Sequence, residues 1–343
     1  MKTAVVVCPG RGTYNKTELG WLGRHFADRA LLDAFDERRR AAGRTPLAEL
    51  DGAATFSIAT HTRGDNASAL IYAATIGDFA ALADDVRVVA VTGNSMGWYS
   101  TLACAGALSP IAGFEVVDTM GGLMQERLIG GQLVYPHVGD DWRPDATRKA
   151  HLLGLVAEIG ARPGHVLGLS IDLGGMLVLA GDAAGLSAFE ASVPPIDGRF
   201  PMRLANHAAF HSALQAPVAE EGRRRLPASL FDQPRLPMID GRGHVWWPGA
   251  SEVEALWRYT LDTQVVETYD FTRAIAVAAR EFAPDLFIVT GPGTTLGGAV
   301  AQSLIAAGWE GLADKASFQA RQAETPILVS MGMPEQRLRV TAG

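Results

Sequence analysis

A short motif in the first third of the chain constrains the fold more than any other feature. The apolar run Val88–Val91 leads into Gly-x-Ser-x-Gly at Gly93–Gly97, and a stretch of helical composition, Tyr99–Leu108, follows. A strand, a sharp turn and a helix in this order are typical of a nucleophile elbow, in which the turn presents a serine hydroxyl beside a base and near free backbone amides. The flanking glycines suit the turn because they carry no Cβ. The motif predicts Ser95 as a nucleophile, although a chain with 38 glycines can contain the pattern by chance.

The composition is that of a globular protein with a large core. The chain has 343 residues, of which 48% are hydrophobic and 20% charged, enough for one large domain with an insertion or for two medium domains. The net charge of −7 argues against a nucleic-acid partner. No apolar stretch has the length of a membrane span or of a signal peptide, so we expect no membrane partner and a cytoplasmic location. Cys8 and Cys104 lack metal-ligand spacing and are expected to be buried in a reducing compartment.

Two runs of arginine stand out in this acidic chain, Arg38–Arg40 and Arg223–Arg225. Such a run forms either a docking patch for an acidic partner or, more commonly, the solvated face of a helix. We therefore expect these side chains to be exposed.

Short apolar strands alternate with helices in the first and last thirds of the chain. This alternation predicts a parallel sheet covered by helices on both faces. The predicted strands are 3–7, 88–91 and 286–290, and the predicted helices are about 18–42, 67–82, 114–128 and a last one that ends near 307. The chain after about Ala313 is expected to be irregular.

The middle of the chain has a different order. Strands are predicted over 131–138, within 165–180 (two strands turning at Gly174-Gly175) and over 199–206, with helices over 146–160 and 182–192. The order βαββαβ is the ferredoxin-like plan. We therefore predict an α/β body, residues 1–130 and 205–343, interrupted by a ferredoxin-like α+β subdomain, residues 131–204.

Four motifs in order carry a resemblance to a known family. Pro9–Gly12, Gly93–Gly97, Ala209–Ser212 and Gly291–Gly293 occur in the order and spacing found in the malonyl-CoA:acyl-carrier-protein transacylases and the acyltransferase domains of fatty acid and polyketide synthases. The chain resembles this family over roughly residues 3–307. The resemblance implies an α/β-hydrolase-like body with a ferredoxin-like insertion, and it explains Gly291–Gly293 as a structural turn near the site.

The resemblance also implies roles for individual residues. Ser95 corresponds to the acylated nucleophile and His211 to its general base, which the family orients with a backbone carbonyl, here expected from Thr260. The oxyanion hole corresponds to the backbone amides of Met96 and Arg11. The implied mechanism is ping-pong, from acyl-CoA to Ser95 and then to the phosphopantetheine thiol of an acyl carrier protein, with no metal and no bound cofactor.

His207 lies four residues before His211, and this spacing raises the question of a metal site. A zinc site requires a third ligand and, at this spacing, a helix. The stretch reads as a strand leading into a loop. We therefore expect His207 to be an ordinary hydrogen-bonded histidine or a minor pocket residue, and no metal.

Three departures from the family pattern concern the substrate. Malonyl-specific members have an arginine that pairs with the malonyl carboxylate where this chain has Met120, and an unpaired buried carboxylate is unfavourable. Met120 therefore favours a neutral acyl chain. Arg11, where the family usually has glutamine, either supplies the missing charge or points to solvent or to a nearby acid. Asn94 replaces a histidine and can still donate a hydrogen bond into the pocket, while Trp98 replaces a glutamate.

These observations predict a serine acyltransferase that moves a malonyl-type group from CoA to an acyl carrier protein in fatty acid or polyketide-type biosynthesis. Three alternatives stay open: an acyl hydrolase that removes wrong acyl groups from carrier proteins, a transferase for a neutral acyl group or another acceptor, and a non-catalytic scaffold. Because a scaffold would be expected to lack Ser95 or His211, the presence of both residues disfavours it.

Overall fold

The computed structural model describes residues 1–342, which form two β-sheets and sixteen α-helices. The strands are β1 (Lys2–Cys8), β2 (Val86–Gly93), β3 (Gly131–Pro136), β4 (Leu167–Leu173), β5 (Met176–Gly181), β6 (Met202–Arg203), β7 (Met238–Ile239), β8 (Val245–Trp246), β9 (Tyr269–Asp270), β10 (Leu286–Val289) and β11 (Leu328–Ser330).

The helices differ widely in length, from one turn to five. They are α1 (Trp21–His25), α2 (Arg29–Ala41), α3 (Leu47–Asp51), α4 (Ile58–His61), α5 (Gly64–Ala80), α6 (Gly97–Cys104), α7 (Pro110–Arg127), α8 (Ala146–Gly160), α9 (Ala183–Ser192), α10 (Ala216–Arg225), α11 (Val253–Arg258), α12 (Gln264–Val266), α13 (Phe271–Phe282), α14 (Leu296–Ala306), α15 (Lys315–Glu324) and α16 (Pro334–Arg337). Among residues 1–342, no helix is both long and apolar enough to cross a membrane.

The larger sheet has the strand order β11-β10-β1-β2-β7-β8, and only β8 runs antiparallel to its neighbour. Its central strand β1 is fully buried from Ala4 to Cys8, as expected of a strand covered by helices on both faces. Cys8 pairs with Gly93 at the ends of β1 and β2. The loop after β1 and the loop after β2 therefore leave the sheet side by side, and the predicted parallel sheet is confirmed.

The smaller sheet has the strand order β6-β3-β5-β4-β9. Numbered within the subdomain, its first four strands have the order 4-1-3-2, which is the ferredoxin-like arrangement. The predicted ferredoxin-like insertion is therefore confirmed. The fifth strand, β9, comes from the body and pairs in parallel with β4 at Ile171 and Asp172. The sheet thus continues into the body, and the exact domain boundaries stay a prediction.

Two predicted segments are wrong. The predicted helix over 18–42 is interrupted: α1 ends at His25, and α2 begins after Asp28, whose side chain accepts a hydrogen bond from the Leu31 N–H. A polar cap of this kind starts a new helix because it satisfies an otherwise free N–H. The chain after Ala313 is not irregular, since it forms α15, β11 and α16. β11 is the edge strand of the larger sheet.

One residue of the two arginine runs clearly contradicts the predicted exposure: Arg39, on α2, is completely buried, whereas both of its neighbours in the run are exposed. Its guanidinium donates to the carbonyl oxygens of Thr45 (2.5 Å) and Asp65 (2.9 Å), to Asn66 Oδ1 (2.5 Å) and to the Asp118 carboxylate (2.7 Å). A buried cation needs such partners to offset its lost hydration. Arg39 therefore joins the loop before α3 and the first turn of α5 to α7.

We expect Arg39→Lys to lower the free energy of unfolding by about 2 kcal/mol, because an ammonium cannot reproduce the planar fork of donors. Urea denaturation measures this change. Arg38→Lys is the matched control: Arg38 pairs with Glu115 on the surface, and such pairs contribute at most about 1 kcal/mol. Equal effects of the two substitutions would contradict the role assigned to Arg39.

Candidate active site

The turn after β2 holds Ser95 in a strained backbone conformation. Its φ of +55° lies in the left-handed region, which non-glycine residues adopt mainly where the surrounding structure enforces it. The two flanking glycines allow the turn: a Cβ on Gly93 would lie 2.5 Å from the carbonyl carbon of Gly97, and a Cβ on Gly97 would lie 2.2 Å from the Cys8 carbonyl oxygen. Helix α6 thus begins directly against the end of β1, as a nucleophile elbow requires.

His211 lies beside the serine. Its Nε2 is 2.7 Å from Ser95 Oγ, and the residue is only 4% exposed. The segment before it crosses from the subdomain to the body and is fixed by a hydrogen bond from the Ala209 N–H to the Ile129 carbonyl. His211 also has a positive φ, +55°. The structure thus joins the predicted nucleophile and the predicted base in one hydrogen bond.

The carbonyl that orients His211 belongs to Gln264, and the prediction of Thr260 is wrong. Gln264 O lies 2.6 Å from His211 Nδ1. Gln264 lies in the last turn of a continuous helical run that ends at Val266, where carbonyls lack helical donors and are free to accept other hydrogen bonds. Thr260 lies a turn earlier, within a π-helical segment, and its hydroxyl accepts a hydrogen bond from Trp98 Nε1.

Gln264 also contacts the nucleophile through its side chain. Its Nε2 donates to the Ser95 carbonyl oxygen at 3.1 Å, and its Oε1 accepts from the Tyr99 hydroxyl at 3.4 Å. One residue therefore fixes the base through its backbone and the strained serine through its amide group.

Burial lowers the pKa of His211 to about 4, against the opposing effect of the Gln264 carbonyl. The imidazole is therefore neutral near pH 7. With Nδ1–H donating to Gln264 O, Nε2 carries the free lone pair and accepts the Ser95 proton. This is the protonation state that a general base needs.

We expect the acylation rate to depend on this neutral form of His211. Since the pKa is lowered to about 4, protonation sets in only at acidic pH. The rate should be level from about pH 8 down to about pH 5 and should fall to half of its plateau near pH 4. Stopped-flow acylation measured from pH 3.5 to 8 tests the profile, with circular dichroism at each pH as the control for folding. A midpoint near the ordinary histidine value of about 6.5 would contradict it.

Two backbone amides are available next to the serine. The N–H groups of Met96 and Arg11 make no hydrogen bond within residues 1–342, and both residues line the cleft that contains Ser95. The loops that carry them are in contact: a Cβ on Gly10 would lie 2.6 Å from the carbonyl oxygen of Asn94. Free N–H donors beside a nucleophile fit an oxyanion hole. That role stays a prediction for both amides.

The cleft above Ser95 lies between the elbow, α5, α7 and the segment carrying His211. It is narrow, with a cavity volume of only about 20 Å³, which is room for about one water molecule. Its lining residues are Arg11, Ser68, Ser95, Met96, Tyr99, Val117, Gly121, Met124, Phe210, His211, Gln264 and Val265.

The Arg11 side chain lies in this cleft and does not point to solvent. Its Nη2 donates to the Thr62 carbonyl oxygen at 2.7 Å, and its guanidinium carbon is 5.6 Å from the centre of the Phe210 ring. Its Nε has no hydrogen-bond partner within residues 1–342. Burial lowers the pKa of Arg11 to about 10, although the more distant Asp65 raises it. Arg11 is therefore a half-buried, charged group without a contacting carboxylate.

Two residues predicted to contact the substrate do not line the cleft. Met120 is fully buried but does not line the cleft; its sulfur packs on α10, 2.6 Å from where a Cβ on Gly222 would lie. The rotation of α7 turns Val117, Gly121 and Met124 to the cleft instead, at the three- and four-residue spacing of a helix face. Asn94 also lies outside the cleft lining, and its Nδ2 would be 3.3 Å from a Cβ on Gly10.

His207 is a hydrogen-bonded histidine in an irregular segment, not on a helix. Its Nδ1 lies 2.9 Å from Gln132 Oε1. Burial and the nearby Arg11 charge hold its pKa well below the usual range. Within residues 1–342, no group of three or more histidine, cysteine or acidic side chains could hold a metal ion.

The Gly291–Gly293 turn packs against the loop after β1, which carries Arg11. A Cβ on Gly293, whose φ is +75°, would lie 2.3 Å from the Thr13 carbonyl oxygen, and the Thr13 hydroxyl donates to the carbonyl of Gly10. The Gly291 N–H donates to buried Asp78. The turn is therefore structural and supports the loop that carries Arg11.

No family model matches the chain. It is 25% identical over 209 residues to the malonyl CoA-acyl carrier protein transacylase of Escherichia coli O157:H7, a match that covers 61% of this chain and 63% of that protein. The chain thus matches just under two thirds of the length of this curated relative.

Solved structures match over nearly the whole chain. The malonyl-CoA:acyl carrier protein transacylase of Xanthomonas oryzae is 19% identical with a TM-score of 0.73, covering 100% of this chain and 99% of that one. The Synechocystis enzyme of the same name is 18% identical with a TM-score of 0.74, covering 99% and 100%. A malonyl-transacylase in complex with a type II polyketide synthase acyl-carrier protein is 18% identical with a TM-score of 0.72, covering 98% of each chain. These matches confirm the predicted resemblance and the predicted fold.

Proposed function

We propose that this chain is an acyltransferase of the malonyl-CoA:acyl-carrier-protein transacylase family, which moves a malonyl-type group from CoA to the phosphopantetheine thiol of an acyl carrier protein. The hydrogen-bonded chain from Ser95 Oγ through His211 to the Gln264 carbonyl carries this proposal. It supplies a nucleophile, a neutral base and a group that orients the base.

In the first half-reaction, His211 Nε2 takes the Ser95 proton as Oγ attacks the thioester carbonyl. The Met96 and Arg11 N–H groups stabilise the oxyanion. The carbon–sulfur bond then breaks, and His211 returns its proton to the CoA thiolate. In the second, His211 takes the proton of the carrier-protein thiol, the thiolate attacks the acyl-serine ester, and Ser95 leaves with that proton.

A carboxylated acyl group fits the cleft because Arg11 supplies an unpaired charge there. A half-buried cation that has lost part of its hydration and has no counter-charge is unfavourable, and a substrate carboxylate offsets that cost. Met120, the residue whose apolar side chain favours a neutral acyl group, does not line the cleft. Arg11 therefore takes the role that the family assigns to the arginine in the helix after the elbow.

Each proton and acyl transfer in this scheme is assigned to a group of the chain, so the proposal includes no metal and no bound cofactor. It also includes the predicted cytoplasmic location and the two predicted partners, an acyl-CoA and an acyl carrier protein.

Intact-protein mass spectrometry tests the proposal. Wild-type protein and Ser95→Ala are incubated briefly with malonyl-CoA or acetyl-CoA, and holo acyl carrier protein is then added. We expect a malonyl adduct on wild-type protein only, formed faster than the acetyl adduct and discharged onto the carrier protein.

Other outcomes favour the alternatives. Free malonate released without an acceptor would indicate a hydrolase, and an adduct from acetyl-CoA alone would indicate a transferase for neutral groups. The absence of any adduct would favour the remaining alternative, a non-catalytic scaffold.

A further inference from the structure

A second polar group in the cleft, the Ser68 hydroxyl on α5, has no role in the scheme above. Hydroxyls in helices usually bond the carbonyl four residues earlier, as Thr101, Ser192 and Ser303 do here at 2.7–3.0 Å. Ser68 makes no such bond, nor any other within residues 1–342. It is 3% exposed and lines the cleft.

Gly121 keeps this hydroxyl uncovered. A Cβ on Gly121 would lie 2.8 Å from the Gly64 carbonyl oxygen and 3.3 Å from Ser68 Oγ. Helices α5 and α7 therefore approach closely at this point, and a larger side chain at position 121 would cover Ser68. The close approach turns a hydroxyl donor toward the cleft in an otherwise apolar wall that includes Val117 and Met124.

Ser68 and Arg11 together form a donor set. The guanidinium has five N–H donors, of which only Nη2 is engaged, with Thr62, and its Nε is unpartnered. The Ser68 hydroxyl adds a free O–H in the same cleft. A carboxylate has two oxygens that each accept hydrogen bonds, and it matches a cation combined with a neutral donor.

We propose that the Ser68 hydroxyl, together with the Arg11 guanidinium, binds the free carboxylate of the acyl group and so helps to select carboxylated over neutral acyl-CoA substrates. The inference rests on the proposed acyl transfer. It assigns Ser68 to specificity and not to the chemistry at the thioester, because the hydrogen bond forms at the far end of the acyl group.

The test compares the rates of Ser95 acylation by malonyl-CoA and acetyl-CoA in full-length variants. Ser68→Ala should slow malonyl acylation about tenfold, as expected for a lost hydrogen bond to a charged group, and should change acetyl acylation less than about twofold. Ser68→Thr retains the hydroxyl and should restore most of the malonyl rate.

Ser100→Ala is the matched control. Ser100 is also a buried helical serine whose hydroxyl has no partner within residues 1–342, but it does not line the cleft; both rates should stay at the wild-type level. If Ser68→Ala slows both substrates equally or neither, the assignment of Ser68 is overturned while the proposed function stands. If wild-type protein forms no malonyl adduct, the proposed function and this inference fail together.

Discussion

Ser95→Ala is expected to abolish the acyl adduct and to lower acyl transfer by a factor of about 10⁴ or more, the largest effect of any single substitution in this chain. The hydroxyl is the group that forms the covalent bond, so its loss leaves no two-step route, and only the residual effect of the oxyanion donors and of substrate binding remains. Mass spectrometry after incubation with malonyl-CoA measures the adduct, and a thiol assay measures release of CoA.

His211→Ala distinguishes a loss of catalytic chemistry from a loss of folding in this experiment. Without its base the serine hydroxyl is a weak nucleophile, and because serine and base act as a unit, the loss in rate should be close to that of Ser95→Ala. The adduct should still form at long incubation times, since Ser95 is present. An adduct of wild-type yield on Ser95→Ala would show that another residue is acylated.

The elbow could be predicted because short-range chemistry determines it, whereas His211 was predicted only through the family resemblance, since it lies 116 residues away from Ser95 in the chain. The β-branched run before Gly93 indicates a strand that leads into a sharp turn, and the same local pattern indicates a strand at Val5–Val7 in β1. The ferredoxin-like insertion could also be predicted from the sequence, because residues 131–204 contain strands and helices in the complete order βαββαβ.

Gln264 could not be found in this way. Its role depends on a backbone carbonyl, which every residue has, and on the position at which a helical run ends. The π-helical turn at Tyr259–Thr263 changes which residue reaches the final turn, and no residue type in the sequence marks it. The predicted residue, Thr260, is therefore four positions too early.

The structure places Met120 and Arg39 differently from the sequence prediction, and both differences have a common cause. Sequence pattern gives the spacing of residues on a helix but not the rotation of the helix against its neighbours. In α7, the packing of Met120 against Gly222 of α10 turns other residues to the cleft. In α2, Asp118 and Asn66 approach from distant parts of the chain and provide a buried site for Arg39. Long-range partners of this kind are not encoded near the residue itself.

Arg11→Gln is expected to slow acylation by malonyl-CoA about a hundredfold, which corresponds to about 3 kcal/mol, the range found when one partner of a buried charge pair is removed. Acylation by acetyl-CoA should change less than about threefold, because any residue at position 11 retains the backbone N–H assigned to the oxyanion hole.

Arg63→Gln is the matched control. The Arg63 side chain is 47% exposed and pairs with Asp65, so its loss removes a nearby charge without changing the cleft. Stopped-flow acylation of both variants with both substrates measures these rates. Equal losses with the two substrates in Arg11→Gln would mean that the guanidinium holds the loop through Thr62 and does not bind a carboxylate.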